Sequence, residues 1–151
     1  MSNDVTVFYS KNSDDWKTPS KLYNYFMDHN YIDVSPFQSA EDYLLKEFQN
    51  AKLYCNPPYS KNKEFIEWCY KQMNNGCTIW LLIPSRTDTR YFQKIMNDGM
   101  LLYFIKGRLR FNDGNMGAPF PSVLIELKLK HTYIHTYMCG TIDEFIERNL
   151  I

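Results

Sequence analysis

KLYCNPPYSKNKEFIEWCYKQMNNGCTIWLLIP, residues 52–84, reads as a strand, a helix and a second strand. The first strand, Lys52–Cys55, has to stop at Asn56, because neither Pro57 nor Pro58 can donate a ladder hydrogen bond. Asn62 reads as the cap of a helix from Lys63 to about Asn74, with Phe65, Ile66, Trp68, Cys69 and Met73 as its apolar stripe. Gly76 is placed to close that helix. Cys77–Ile83 is the strongest buried strand in the chain, and Pro84 ends it.

The same alternation extends outward. Upstream, Thr18-Pro19 reads as an N-cap and first-turn proline opening a helix through Leu22, Tyr25 and Phe26 to about His29. Tyr31–Val34 is a short strand, broken by Pro36. Ser39-Ala40-Glu41-Asp42 has the look of a capping box, predicting a helix to about Phe48. Downstream, a helix covers about Thr89–Asn97 and a strand Met100–Lys106. Residues 108–121 are rich in Gly, Asn and Pro and read as a loop. Ser122–Lys130 alternates as a strand, with Val123, Ile125, Leu127 and Leu129 on one face. His131–Tyr137 is a candidate further strand, and Thr141-Ile142-Asp143-Glu144 a second capping box before a short helix. Strands alternating with helices predict an α/β fold with a mostly parallel sheet, and the late strands predict an antiparallel end to it. Ligands of such sheets sit beyond the carboxyl ends of strands, which is where Asn56–Tyr59 falls.

The 151 residues are expected to form a single domain, 1–151, with no room for a separate target-recognition domain. Lys plus Arg and Asp plus Glu both number 17, so bulk positive charge does not define a partner. The balance is local: residues 1–50 carry four bases and eight acids, net −4, while residues 86–110 carry six bases and two acids, net +4. No apolar run approaches the ~18 residues a membrane span needs, so no membrane partner is expected. Asn3 and Asp4 open an N-terminus without a signal pattern, which sets the cytoplasm as the expected compartment. Cys55, Cys69, Cys77 and Cys139 include no C-x-x-C pair and are expected as reduced thiols. His131 and His135 lack a third ligand nearby, so no metal is expected.

The chemistry is carried by Asn56-Pro57-Pro58-Tyr59. An exocyclic amine on adenine or cytosine is a poor nucleophile, since its lone pair is delocalised into the ring. Two acceptors aimed at the amine hydrogens localise that pair; the Asn56 side-chain carbonyl and the Pro57 backbone carbonyl are the candidates. Proline suits the position because its fixed φ holds the carbonyl direction. Tyr59 would stack on the base, which demands a base turned out of its duplex at a cost of a few kcal/mol.

With these residues the chain resembles the short phage-type DNA N6-adenine methyltransferases, the Dam-like phage family. The matching pieces are Asp15-Trp16-Lys17-Thr18-Pro19, Ile32-Asp33-Val34, Cys55–Tyr59, Leu82–Phe92, Ile105–Phe111 and Ala118–Ser122, in order over about residues 14–126. The resemblance implies transfer of a methyl group from S-adenosylmethionine to the adenine amine of DNA, on a three-layer Rossmann-like methyltransferase fold, and, if the chain is phage-encoded, a bacterial host cytoplasm as its compartment. It implies that Asn56, Pro57, Pro58 and Tyr59 form the adenine pocket. It puts Trp16, Thr18, Pro19, Asp33 and Asn56 on the cofactor side. Arg86 and Arg90 follow one strand and Lys106, Arg108 and Arg110 another; these are candidate phosphate contacts, the alternative being solvated surface charges.

Two departures from the family pattern bear on the cofactor side. Val34-Ser35-Pro36-Phe37 follows Asp33 where small residues are usual, and no Gly precedes Gly76. Only 22 residues separate Asp33 from Asn56, which leaves little room for the strand whose end usually holds an acid for the cofactor's ribose; Glu41 or Asp42 are candidates to substitute for it. The competing expectation is a catalytically silent relative, acting as a DNA- or protein-binding module. A third is a transferase acting on a cytosine, RNA or glutamine amide nitrogen. A second copy of the chain or a partner protein could complete target recognition.

Overall fold

The computed structural model describes residues 16–36, 39–114, 117–129 and 136–151. Its longest strand, β3 (Thr78–Pro84), is buried from Ile79 onward. Alternation along β3 sends Ile79, Leu81 and Ile83 to one face and Trp80 and Leu82 to the other, and each set joins a different apolar cluster. A strand apolar on both faces needs cover on both faces, and the neighbouring helices supply it. On the first face lie α2 (Asn62–Asn74), through Phe65, Ile66, Cys69 and Met73, and α3 (Arg90–Asn97), through Phe92 and Ile95. On the second lie α1 (Ser20–Asp28), through Leu22 and Phe26, and α4 (Ile142–Glu147), through Phe145. The result is three layers: helices, sheet, helices.

The other strands are β1 (Ile32–Asp33), β2 (Lys52–Cys55), β4 (Leu101–Ile105), β5 (Ser122–Leu127) and β6 (Tyr137–Gly140). The six lie in the order β1-β2-β3-β5-β4-β6. β1, β2 and β3 are parallel neighbours, with Asp33 beside Tyr54 and Cys55 beside Leu81. β5 is antiparallel to both β3 and β4, and β6 is parallel to β4. The sheet is therefore mostly parallel, but its antiparallel strand sits inside it rather than at an end. The reason is the connection: only a short 3-10 turn, Phe111–Asp113, is described between β4 and β5, so the loop after β4 returns β5 directly alongside it, and β5 also pairs with β3. Five strands point one way, so Asp33, Cys55, Pro84, Ile105 and Gly140 end on one edge.

Several local readings hold, and others are displaced by tertiary contacts. After α2, Gly76 takes φ +86°; its N–H donates to Met73 O and that of Cys77 to Gln72 O, closing the helix as a Schellman motif. A Cβ at Gly76 would also run into the Asn50 side chain. Thr141 and Glu144 make both bonds of the capping box. Ser39, in contrast, makes no cap bond, and the expected helix to Phe48 is a 3-10 turn over Ala40–Leu45. Its third position is Asp42, one methylene shorter than the Glu or Gln a capping box uses. Asn62 is the first residue of α2 rather than its cap, which falls at Lys61. The cap of α1 is Pro19, not Thr18. Leu129 lies beyond the end of β5 and is 52% exposed.

The strand expected from His131 to Tyr137 falls mainly outside the described residues, as does the His131/His135 pair. Among the described residues, no helix is long and apolar enough to cross a membrane, and no group of three or more His, Cys, Asp or Glu is placed to hold a metal. Cys55, Cys69 and Cys77 are buried free thiols and Cys139 an exposed one.

Candidate active site

β2 delivers Asn56 to the common carboxyl edge, where a chain of bonds holds its backbone. The Asn56 N–H donates to Ser35 Oγ at 2.7 Å. Ser35 in turn donates to Asp33 Oδ1, from its N–H at 3.0 Å and from its hydroxyl at 3.4 Å. Burial raises the Asp33 carboxyl above the usual carboxylate range, and the two Ser35 bonds oppose that shift.

The Asn56 side chain is fixed as tightly. Nδ2 donates to Trp16 O at 2.7 Å and to Thr18 Oγ1 at 3.1 Å. A backbone carbonyl only accepts, so the amide nitrogen must face Trp16, and the orientation of the amide follows. Thr18 Oγ1 is itself 2.8 Å from the hydroxyl of Tyr54, a fully buried ring in β2 that stacks on Phe26 of α1. Thr18 is thus drawn away from the helix cap it was expected to make. With both amide hydrogens engaged, Asn56 Oδ1 is left enclosed and without a protein partner.

A cleft and a packed cluster of aromatic rings meet at this residue. One is an open cleft of about 780 Å³. Trp16, Thr18, Asp33, Asn56 and Pro58 line it, together with Glu41 and Asp42. Asn112 and Asp113 close its other side. Pro19 does not line it and instead starts α1, its carbonyl accepting from Tyr23 N–H. The carboxylates of Asp33, Glu41, Asp42 and Asp113 outnumber Lys17 on the walls, so the cleft suits a ligand carrying positive charge. Its volume lies within the ordinary range for cofactor sites, about 300–1,000 Å³.

Beside the cleft, four aromatic rings pack against one another. Tyr59 opens a 3-10 turn after the prolines, and its ring stacks on Trp16 at 5.8 Å and 23°. Phe120 meets both edge-on, at 4.8 Å from Tyr59 and 5.5 Å from Trp16, and Phe111 completes the group. Burial pushes the Tyr59 hydroxyl pKa up, so it stays protonated. Pro57 is buried behind this corner.

The loop after β4 ties the site together. Lys17 N–H donates to Asn112 Oδ1 at 2.9 Å, and Asn112 N–H returns a bond to Lys17 O at 3.0 Å. The Asp113 carboxylate takes the N–H of Ser20 at 3.0 Å and its hydroxyl, capping α1 from 93 residues away. Asn112 and Asp113 both have positive φ, 59° and 49°, which Asn and Asp tolerate better than other side chains. These contacts hold Phe111 against Trp16. The role of this loop was not read from the sequence; the Asn112-Asp113-Gly114 turn signal was the available hint.

The bonds from the Ser20 hydroxyl and N–H hold the Asp113 carboxyl below its usual range. A carboxyl depressed in the folded state contributes stability above its unfolded pKa and loses it as pH falls through the folded one. Asn tolerates the same backbone but keeps only one of the two acceptors, so Asp113→Asn removes the charge together with one of the Ser20 bonds. The melting temperature of the wild type is expected to exceed that of the variant at neutral pH, with the gap closing below the carboxylate range. A gap constant with pH would contradict this capping role.

Arg86, Arg90, Lys106, Arg108 and Arg110 are all exposed. Arg86 follows β3 and Lys106 follows β4, on the edge that carries Asn56. Arg86 also lies near enough to Tyr59 for its charge to oppose the upward shift of that hydroxyl.

The sequence model of the family described as DNA N-6-adenine-methyltransferase (Dam) matches residues 6–123, which is most of the chain. No curated protein and no solved structure matches it.

Proposed function

The chain belongs to the DNA N-6-adenine-methyltransferase (Dam) family, and on that premise we propose that it transfers a methyl group from S-adenosylmethionine to the exocyclic amine of an adenine turned out of duplex DNA. The observation that carries this reading is Asn56 Oδ1, an acceptor with fixed direction and no protein partner, at the junction of an acidic cleft and a packed aromatic cluster. We read the domain as a shortened Rossmann-like methyltransferase fold, in which β1 is the edge strand of the sheet among the described residues.

Asn56 Oδ1 and the Pro57 carbonyl accept from the two amine hydrogens, which turns the nitrogen lone pair out of conjugation with the ring. Because Trp16 O and Thr18 Oγ1 hold the amide beforehand, little reorganisation is left for the transition state. Tyr59 and its neighbouring rings take the base face, offsetting part of the few kcal/mol that flipping costs. S-adenosylmethionine, when bound, supplies an electrophilic methyl group on a sulfonium. Asp33, Glu41 and Asp42 would hold its positive charge and its ribose hydroxyls. Arg86, Arg90, Lys106, Arg108 and Arg110 would meet phosphates on the same edge.

Calorimetry with S-adenosylmethionine alone tests the cofactor half of the reading. Saturable heat is expected from wild type, reduced or lost in Asp33→Ala. A folded wild-type chain that gives no heat at millimolar cofactor would point instead to the catalytically silent relative. For the DNA half, Arg108→Ala with Arg110→Ala should lower the slope of log K against log salt by about 1.8, or ~0.9 per phosphate contact. An unchanged slope would place both side chains away from the backbone of DNA.

A further inference from the structure

We propose that Tyr54 is a positioning residue for methyl transfer, fixing the Asn56 amide through the Thr18 hydroxyl. This rests on the methyl-transfer reading above and adds to it a side chain that does not line the cleft. Tyr54 sits within β2, beside Asp33 of β1 and Trp80 of β3. It is 1% exposed, and its ring stacks on Phe26 at 4.6 Å and 22°. Strand pairing and ring packing together leave its hydroxyl one place to stand.

The direction of the bonds follows from counting hydrogens. Burial pushes the Tyr54 hydroxyl pKa well up, so it keeps its hydrogen. An enclosed O–H without an acceptor is costly. Among the described residues its partner is Thr18 Oγ1, at 2.8 Å. Tyr54 therefore donates and Thr18 accepts. Thr18 Oγ1 also accepts from Asn56 Nδ2, at 3.1 Å. A hydroxyl oxygen has two lone pairs, so both are engaged, one by the sheet and one by the amide.

This second bond matters because of where Thr18 lies. Residues 16–19 belong to no helix or strand, so their acceptors are only as fixed as the bonds that tie this segment down. Lys17 and Asn112 tie it to the loop after β4. Tyr54 ties it to the sheet. Without Tyr54 the Thr18 hydroxyl is free to turn, and Asn56 keeps Trp16 O as its one fixed acceptor. The Tyr103 phenol makes a useful contrast: it donates to the Leu150 carbonyl, which holds no residue of the site.

The test uses Tyr54→Phe, which keeps the stack on Phe26 and removes the hydroxyl alone. Tyr54→Phe, Thr18→Val and the double variant are compared with wild type in methyl transfer to duplex DNA. Heteronuclear NMR follows the Asn56 side-chain amide in each, its signals identified by their loss in Asn56→Ala. In Tyr54→Phe, kcat is expected to fall about fivefold, the effect of one neutral hydrogen bond, with KM for S-adenosylmethionine unchanged. In the Thr18→Val background the same change should cause no further loss, because the bond is already gone. The Asn56 amide hydrogens should exchange with solvent about fivefold faster in Tyr54→Phe than in wild type. The proposal is overturned by a loss of kcat that persists undiminished in the Thr18→Val background, by a change in KM alone, or by Asn56 amide exchange that matches wild type. A wild type that methylates no DNA, while Tyr54→Phe still loosens the Asn56 amide, refutes the activity and leaves this hold of Tyr54 on Asn56 standing.

Discussion

Asn56→Ala is expected to lower kcat/KM for methyl transfer by about 10²–10³-fold, the usual effect of removing one preorganised hydrogen-bonding group from a reaction centre. The fold should survive the change. The substitution removes the two Nδ2 bonds, to Trp16 O and Thr18 Oγ1, but it also removes an enclosed oxygen that has no protein partner. Those contributions oppose one another, so unfolding free energy from urea titration should move by no more than about 1–2 kcal/mol. DNA affinity should be nearly unchanged, because the acceptor acts mainly on the amine in the transition state. Wild-type rates in this variant would remove Asn56 from the chemistry. A variant that fails to fold would show instead that the amide is a structural tie.

Phe26→Ala is expected to have the largest effect on stability, about 3–5 kcal/mol in an equilibrium unfolding measurement. Phe26 is fully enclosed, stacked on Tyr54 at 4.6 Å and edge-on to Tyr31 at 5.3 Å. The helix α1 packs through it, and little nearby can move in to fill the space of a phenyl ring. The consequence reaches the site, because Tyr54 bonds Thr18, and Thr18 bonds the Asn56 amide. Methyl transfer by the folded fraction should therefore fall as well. A loss under about 1 kcal/mol would contradict the packing of α1 on the sheet.

What the sequence made legible is what neighbouring residues decide. β2 stops at Cys55 because two prolines follow it, and α2 closes at Gly76 because only that residue reaches φ +86° without strain. Thr141 caps α4 because Glu144 is three residues on and long enough to return the bond. The misreadings are positions where a distant partner prevailed. Thr18 has the side chain of a helix cap, yet Tyr54 and Asn56 claim its hydroxyl, 36 and 38 residues away. The N-cap position of α1 is Pro19, and the side-chain bond to its first turn comes from Asp113, in a loop that reads only as rich in Gly, Asn and Pro. The place of β5 between β3 and β4 depends on which strand it meets, and no local pattern encodes that.

The candidate site follows the same division. Asn56–Tyr59 was readable as a corner at the end of a strand, and Asp33 as an acid beside it. Glu41 and Asp42, candidates from the sequence for the acid a shortened fold lacks, do line the cleft. Ser35, Tyr54, Phe111 and Phe120 carried no such signal. Their parts come from being brought together by the sheet edge and the loop after β4.

The central claim is that Asn56 presents an acceptor to an everted adenine amine. It is tested most directly by incubating the chain with isotopically labelled S-adenosylmethionine and unmethylated duplex DNA, then digesting to nucleosides for mass analysis. The account predicts label on N6-methyldeoxyadenosine, present with wild type and reduced to a trace with Asn56→Ala. Label on a cytosine product, or no labelled nucleoside from a folded chain that binds both cofactor and DNA, would contradict it.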